Sequence, residues 1–124
     1  MNQSQKINKR KVGAFYEQAA AQHLMENGLI IVEKNYRCSV GEIDIIALDR
    51  DTLVFVEVKY RKTTWSGGAL ASVNQTKQRT ISKTAMIYLL SHGWYPDYPC
   101  RFDVIGFNGD TLLWIRNAFD TRFN

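Results

Sequence analysis

Between Gly41 and Arg61 the chain reads GEIDIIALDRDTLVFVEVKYR, and three residues of this stretch carry chemistry: Asp44, Glu57 and Lys59. Two carboxylates and an ammonium are the parts of a site that binds a divalent cation and acts on phosphate. Asp and Glu oxygens suit Mg²⁺ or Mn²⁺. Mg²⁺ typically takes one or two carboxylates and fills its shell with waters and substrate phosphate. Such an ion polarises a phosphoryl oxygen and acidifies water. A lysine beside it orients that water or stabilises charge in the transition state. The bland reading is a cross-strand ion pair, which an isolated Glu-x-Lys in a strand usually is.

The stretch itself reads as a hairpin. Ile43, Ile45 and Ala47 alternate with Glu42, Asp44 and Ile46, and Val54, Val56, Val58 and Tyr60 alternate with Leu53, Phe55, Glu57 and Lys59. That is the two-residue period of strands, in β-branched and aromatic residues. Asp49-Arg50-Asp51 supplies the turn. A tight turn there sets Asp44 opposite Glu57 and Glu42 opposite Lys59. Opposed carboxylates repel, and on a face shared with Ile46, Leu53 and Phe55 they also lose water. A positive group must sit between them, either Lys59 or a bound cation.

The flanking chain supplies two helices and three more strands. Residues 1 to about 8 read as a flexible tail. A helix from about Asn8 to Asn27 carries Val12, Phe15, Ala19, Ala20 and Leu24 at helical spacing and stops at Asn27-Gly28. Glu17 lies on its small-residue face with Gly13, Ala20 and Ala21. A lone helical Glu is most often solvated, but this face can pack closely on a sheet. Leu29–Arg37 is a first strand. After Arg61 comes a loop with Gly67-Gly68 and Trp65, a residue for stacking on a base or for the core. A second helix, from Val73 to about Gly93, has the apolar stripe Ile81, Ala85, Tyr88 and Leu89. Its first turns carry Gln75, Lys77, Gln78, Arg79 and Lys83, which suit phosphate at a helix start or an ordinary wet face. Arg101–Phe107 and Thr111–Arg116 form a hairpin around Asn108-Gly109. A right-handed crossover through the second helix sets Arg101–Phe107 parallel to the Glu57 strand. The fold class is α/β, a mixed sheet flanked by helices.

Composition narrows the partners. At 124 residues, 45% of them hydrophobic, the chain forms one domain. It has no apolar run long enough to span a membrane, and its first residues lack the apolar core of a secretory signal. Cys38 and Cys100 have no metal-ligand spacing and read as reduced thiols of a cytoplasmic protein. A net charge of +4 suits a polyanionic partner. The basic residues Lys9, Arg10, Lys11, Arg61, Lys62, Lys77, Arg79 and Lys83 are the candidates for phosphate contact.

This order of elements resembles the restriction-endonuclease-like superfamily, whose core is αβββαβ. Its signature, an acidic residue on one strand and Asp/Glu-x-Lys on the next, falls on Asp44 and Glu57-Val58-Lys59. More closely, the chain resembles the YraN-like family of small bacterial endonuclease-like proteins. The matching stretches are GEIDIIA, VFVEVKYR, TKQRTISKTA, RFDVIGF and NAF, from about Gly13 to Phe119. It is more distantly similar to archaeal Holliday-junction resolvases, but Gln18 stands where those carry an arginine after the helix Glu. The resemblance implies a Mg²⁺- or Mn²⁺-dependent nuclease for DNA, structured or branched. Asp44, Glu57 and the Val58 carbonyl would hold the ion, and Glu17 would reach it through a water. Lys59 would position the nucleophile, and Gln75 would steady a water or phosphate. The alternative is a nucleic-acid-binding module without turnover, or a subunit of a DNA-processing assembly. A homodimer would supply two sites for cutting two strands, although no self-association pattern is present.

Overall fold

β-Branched and aromatic residues crowd the middle of the chain, and there they build the middle of a sheet. A computed structural model describes residues 3–61 and 73–120, with side chains from residue 10 onward. The elements are α1 (Gln3–Glu26), β1 (Ile30–Arg37), β2 (Glu42–Asp49), β3 (Thr52–Arg61), α2 (Gln75–Ser91), β4 (Cys100–Asn108) and β5 (Thr111–Phe119). The strands form one sheet in chain order. All neighbours are antiparallel except β3 and β4, which the crossover through α2 makes parallel. The mixed α/β architecture is the one the sequence implies. Among the described residues no helix is long and apolar enough to cross a membrane. Lys62, Trp65 and Gly67-Gly68 lie outside the described residues.

The sheet is covered on both faces. Leu53 and Phe55 of β3 pack with Ile81, Tyr88 and Leu89 of α2, while Val54 and Val56 pack with Ala20, Ala21 and Leu24 of α1. The β2–β3 hairpin runs from Asp49↔Thr52 to Ile45↔Val56, the register expected from its turn. Strict alternation fails at one point. Ile43 joins Ile46 in the α2-facing core, whereas Ile45 and Ala47 join the α1-facing core. β1 switches at the same level. Lys34 bonds Gln18 of α1, yet Tyr36 packs edge-on against Tyr88 of α2. Between them Asn35 takes a left-handed conformation, φ 55°, which an asparagine tolerates. The pairs Lys34↔Ile45 and Tyr36↔Ile43 place Asn35 level with Asp44. The face switch therefore occurs at the candidate site itself.

Two boundaries differ from the periodicity. α1 begins at Gln3 rather than near Asn8, because Gln, Lys and Arg are good helix formers and need no apolar stripe. β5 continues past Arg116 to Phe119 through a register shift, with Asn117 at φ 51°. That irregularity serves buried Asp103, which accepts from Asn117 N–H (2.9 Å), Trp114 Nε1 (2.9 Å) and the Arg101 guanidinium (Nε, 3.0 Å). Arg101 also reaches Asp49 on β2 at 2.9 Å. Removing the carboxylate would leave the Trp114 and Asn117 N–H donors unpaired and the Arg101 guanidinium with Asp49 alone. Asp103→Ala should therefore cost about 3–5 kcal/mol of stability, read from urea denaturation.

Gly41 fixes where α2 sits. A Cβ there would lie 2.8 Å from Thr80 Cγ2 and 2.9 Å from Thr84 Oγ1. Thr84 is fully buried and donates to the Thr80 carbonyl, so it has little room to move. Gly41→Ala should lower stability by about 1–3 kcal/mol through this overpacking. An unchanged denaturation midpoint would mean that the helix yields freely.

Candidate functional site

Asp44 and Glu57 meet where β2 and β3 stop pairing. The recorded backbone ladder ends at Ile45↔Val56. One residue further, the Asp44 carboxylate takes over the ladder's role by accepting the Val58 N–H at 2.8 Å. Glu57 is 5% exposed, on the middle strand, with its side chain toward α2. Loss of water, a hydrogen bond between the two carboxyl groups and repulsion from Glu57 push the Asp44 carboxyl up to about 8. The Val58 N–H opposes this, and the charge of Glu17 adds to it. Burial beside a second carboxyl group thus resists ionisation of Asp44.

Two lysines answer that charge. Lys59, on the same strand, is 3.6 Å from Glu57 Oε2, and Lys77, from the first turn of α2, is nearer at 3.1 Å. The sequence supplied Lys59 as the compensating charge and gave Lys77 to phosphate. The structure turns Lys77 inward, because the Asn74 cap holds its N–H and aims the turn at β3. Despite both ammonium groups, Glu57 Oε2 is buried without a donor in hydrogen-bond geometry. A Mg²⁺ ion suits such an oxygen, since two carboxylates and a backbone carbonyl leave room for waters. Val58, whose carbonyl is the candidate third ligand, lies at this junction.

The other candidates are placed less closely. Glu17, half-buried on α1, bears electrostatically on Asp44 and on Arg37, but no hydrogen bond joins it to either carboxylate. Among the described residues no three His, Cys, Asp or Glu side chains gather closely enough to hold a metal by themselves. The reason is topological: α1 covers the opposite face of the sheet from the one Glu57 addresses. Gln75 is exposed at the first position of α2, two residues from Lys77.

Several basic residues lie at this end of the sheet or on α2. Tyr16 of α1 stacks on Tyr60 at the end of β3 (4.7 Å between ring centres) and leans on Phe107 at the end of β4. The chain before Tyr16, with exposed Arg10 and Lys11, therefore starts beyond that end. Arg61 closes β3, where its carbonyl accepts from Gly109 N–H. Arg79 and Lys83 are exposed one turn apart on α2. The Lys9 side chain lies outside the described residues. A cavity of about 640 Å³ opens at the opposite end, lined by Asn27, Asp49, Arg50, Arg101 and Arg116 among others. Neither Asp44 nor Glu57 borders it, and its Arg101 is already held by Asp49 and Asp103.

Comparison with known proteins places this arrangement in a family. Residues 16–107 match the profile described as "Uncharacterised protein family UPF0102". The chain belongs to that family. It is 46% identical to a UPF0102 protein of Stutzerimonas stutzeri, covering 88% of this chain and 94% of the relative. It is 47% identical to one of Alcanivorax borkumensis, with 90% and 94% covered. A UPF0102 protein of Nitrosomonas europaea is also 47% identical, with 87% and 92% covered. The span matched to UPF0102 runs from Tyr16 to Phe107, the two ends of the ring cluster over the β3 terminus. It contains Glu17, Asp44, Glu57, Lys59, Gln75 and Lys77, whereas Arg10 and Lys11 precede it.

The Asp44 shift fixes a sign. Its folded pKa lies above the unfolded value of about 4, so between about 4 and 8 the folded state holds a proton that the unfolded chain has lost. The stability that this group contributes is full below that window and is lost as pH rises through it. Asp44→Asn keeps an acceptor for the Val58 N–H and removes the titration. The variant should lose less stability than the parent between pH 5 and pH 8.5, by a few kcal/mol in order of magnitude. Denaturant melts at the two pH values measure the difference, and parallel losses would contradict it.

Proposed function

We propose that this UPF0102 protein is a Mg²⁺- or Mn²⁺-dependent phosphodiesterase of the restriction-endonuclease-like kind, acting on structured or branched DNA in the cytoplasm. One observation carries the reading: Asp44 and Glu57 are held together at a desolvation and repulsion cost that a structural role does not require. The αβββαβ order and the placement of Glu57-Val58-Lys59 on the middle strand support it.

In this reading Asp44, Glu57 and the Val58 carbonyl would hold the cation, and Glu17 would act on it only at longer range, through a water. The ion supplies Lewis acidity toward the phosphate and a nucleophile at neutral pH. Lys59 would orient a nucleophile or stabilise charge beside the Glu57 carboxylate. Gln75, at the start of α2, steadies a water or a phosphate oxygen. Arg10, Lys11, Arg61, Arg79 and Lys83 line the approach and meet phosphates along the strand. Lys9 and Lys62 extend that set. Cutting both strands of a duplex at one step would take two copies of the chain.

A second reading has its own support. Lys59 and Lys77 both lie on Glu57, so the site is also a neutralised ion-pair cluster, which suits a DNA-binding module without turnover. Calorimetric titration with Mn²⁺, followed by a cleavage screen over single-stranded, duplex, flapped and four-way DNA, separates the two. The expected result is Mn²⁺ binding and cleavage of at least one substrate, both lost in Glu57→Gln. DNA affinity should fall steeply with added salt through counterion release. DNA binding with neither Mn²⁺ uptake nor cleavage would establish the silent module instead.

A further inference from the structure

We infer that Lys77 is a resident counter-ion that a divalent cation displaces from Glu57, and that the displaced ammonium then meets the substrate phosphate. The inference deepens the phosphodiesterase reading and rests on it.

The two lysines on Glu57 are not equivalent. Lys59 projects from the same strand two residues away, so its distance is set by β3 itself. Lys77 comes from another element. Its backbone is pinned, with the N–H held by Asn74 Oδ1 at 2.9 Å, while its side chain is 44% exposed. A fixed pivot with a half-exposed, four-carbon stem can leave Glu57 without disturbing the helix. The contact is also poorly directed: Nζ is 3.1 Å from Oε2, yet that buried oxygen has no donor in hydrogen-bond geometry. The ammonium therefore acts as a point charge, and a partly exposed ion pair of this kind is weak.

A point charge on the inner oxygen of Glu57 occupies the place a divalent cation would take. Two positive charges cannot share that oxygen closely, so one must give way. Lys59 is tied to the strand, and Lys77 has open solvent to enter. Its neighbours on α2, exposed Gln75 and Arg79, are polar or basic, so an anion is the group that can receive it there. The anion completing a cation's shell in this reading is a phosphodiester. Lys77 thus keeps Glu57 charge-balanced before the ion arrives and contributes to phosphate binding afterwards.

Mn²⁺ titration of the full chain tests this, with Lys77→Met and Lys77→Arg beside the parent. Lys77→Met should bind Mn²⁺ about twofold to fivefold more tightly, the size of a partly exposed ion pair. Lys77→Arg, which keeps the charge, should stay near the parent. Turnover on DNA should fall in Lys77→Met although its metal affinity rises, a split that a merely structural lysine would not produce. Equal or weaker Mn²⁺ binding by Lys77→Met overturns the inference while leaving the metal site standing. If neither protein binds Mn²⁺, the metal reading itself fails and the inference falls with it. A second measurement needs no variant. In the parent protein the Lys77 ammonium resonance should move on addition of diamagnetic Mg²⁺, and an unmoved resonance at saturating Mg²⁺ also overturns the displacement.

Discussion

Glu57 lies on the third of five strands, in a sheet packed by helices on both faces, and its carboxylate has almost no route to water. Everything around it answers that constraint. The Asp44 carboxyl is pushed above the usual carboxylate range, Lys59 leans back along the strand, and the first turn of α2 turns Lys77 inward. Even the end of the β2–β3 ladder belongs to the same response, because Asp44 replaces a backbone acceptor for Val58. A buried carboxylate with such partners is tolerated rather than rewarded, since apolar side chains of similar volume would hold a sheet as well. The physical case for function rests on that asymmetry.

The same constraint explains why the fold approaches the site so tightly. Gly41 lets the entry to β2 touch Thr80 and Thr84, which sets the depth of α2 and hence the reach of Lys77. On the other face, Ala20 and Ala21 bring α1 close to β2 and β3, and the Tyr16–Tyr60 stack fixes its position along them. The helices are positioned by small residues and rings, and the charged groups follow.

Much of this was legible in the residues. The two-residue period and the Asp49-Arg50-Asp51 turn determine the hairpin register, so the apposition of Asp44 and Glu57 could be written down from the chain. Asn108-Gly109 and the α2 stripe likewise named their elements. What escaped depends on tertiary geometry. The face switch at Ile43 and Asp44 follows from the left-handed Asn35 on the neighbouring strand, and an asparagine in a strand does not announce its φ. Lys77 looked like a solvent-facing lysine because its partner, Glu57, lies on another element and no local spacing links the two. The Asp103 cluster was missed for the same reason, although Arg101 and Asp103 share a strand face at a two-residue spacing that hinted at it. Glu17 is half-buried on α1 and acts on Asp44 only through its charge, and no periodicity reveals how far its side chain stands from that carboxyl.

The Asp103 cluster also divides the molecule. At one end of the sheet every acceptor on a buried acid is matched by a fixed donor, and that closed arrangement ties β2, β4 and β5 together. At the other end Glu57 retains an oxygen that nothing matches in direction. A chain built this way separates what must stay constant from what is free to vary. Substitutions around Glu57 can therefore alter local charge while the stapled end continues to hold β2, β4 and β5 in place.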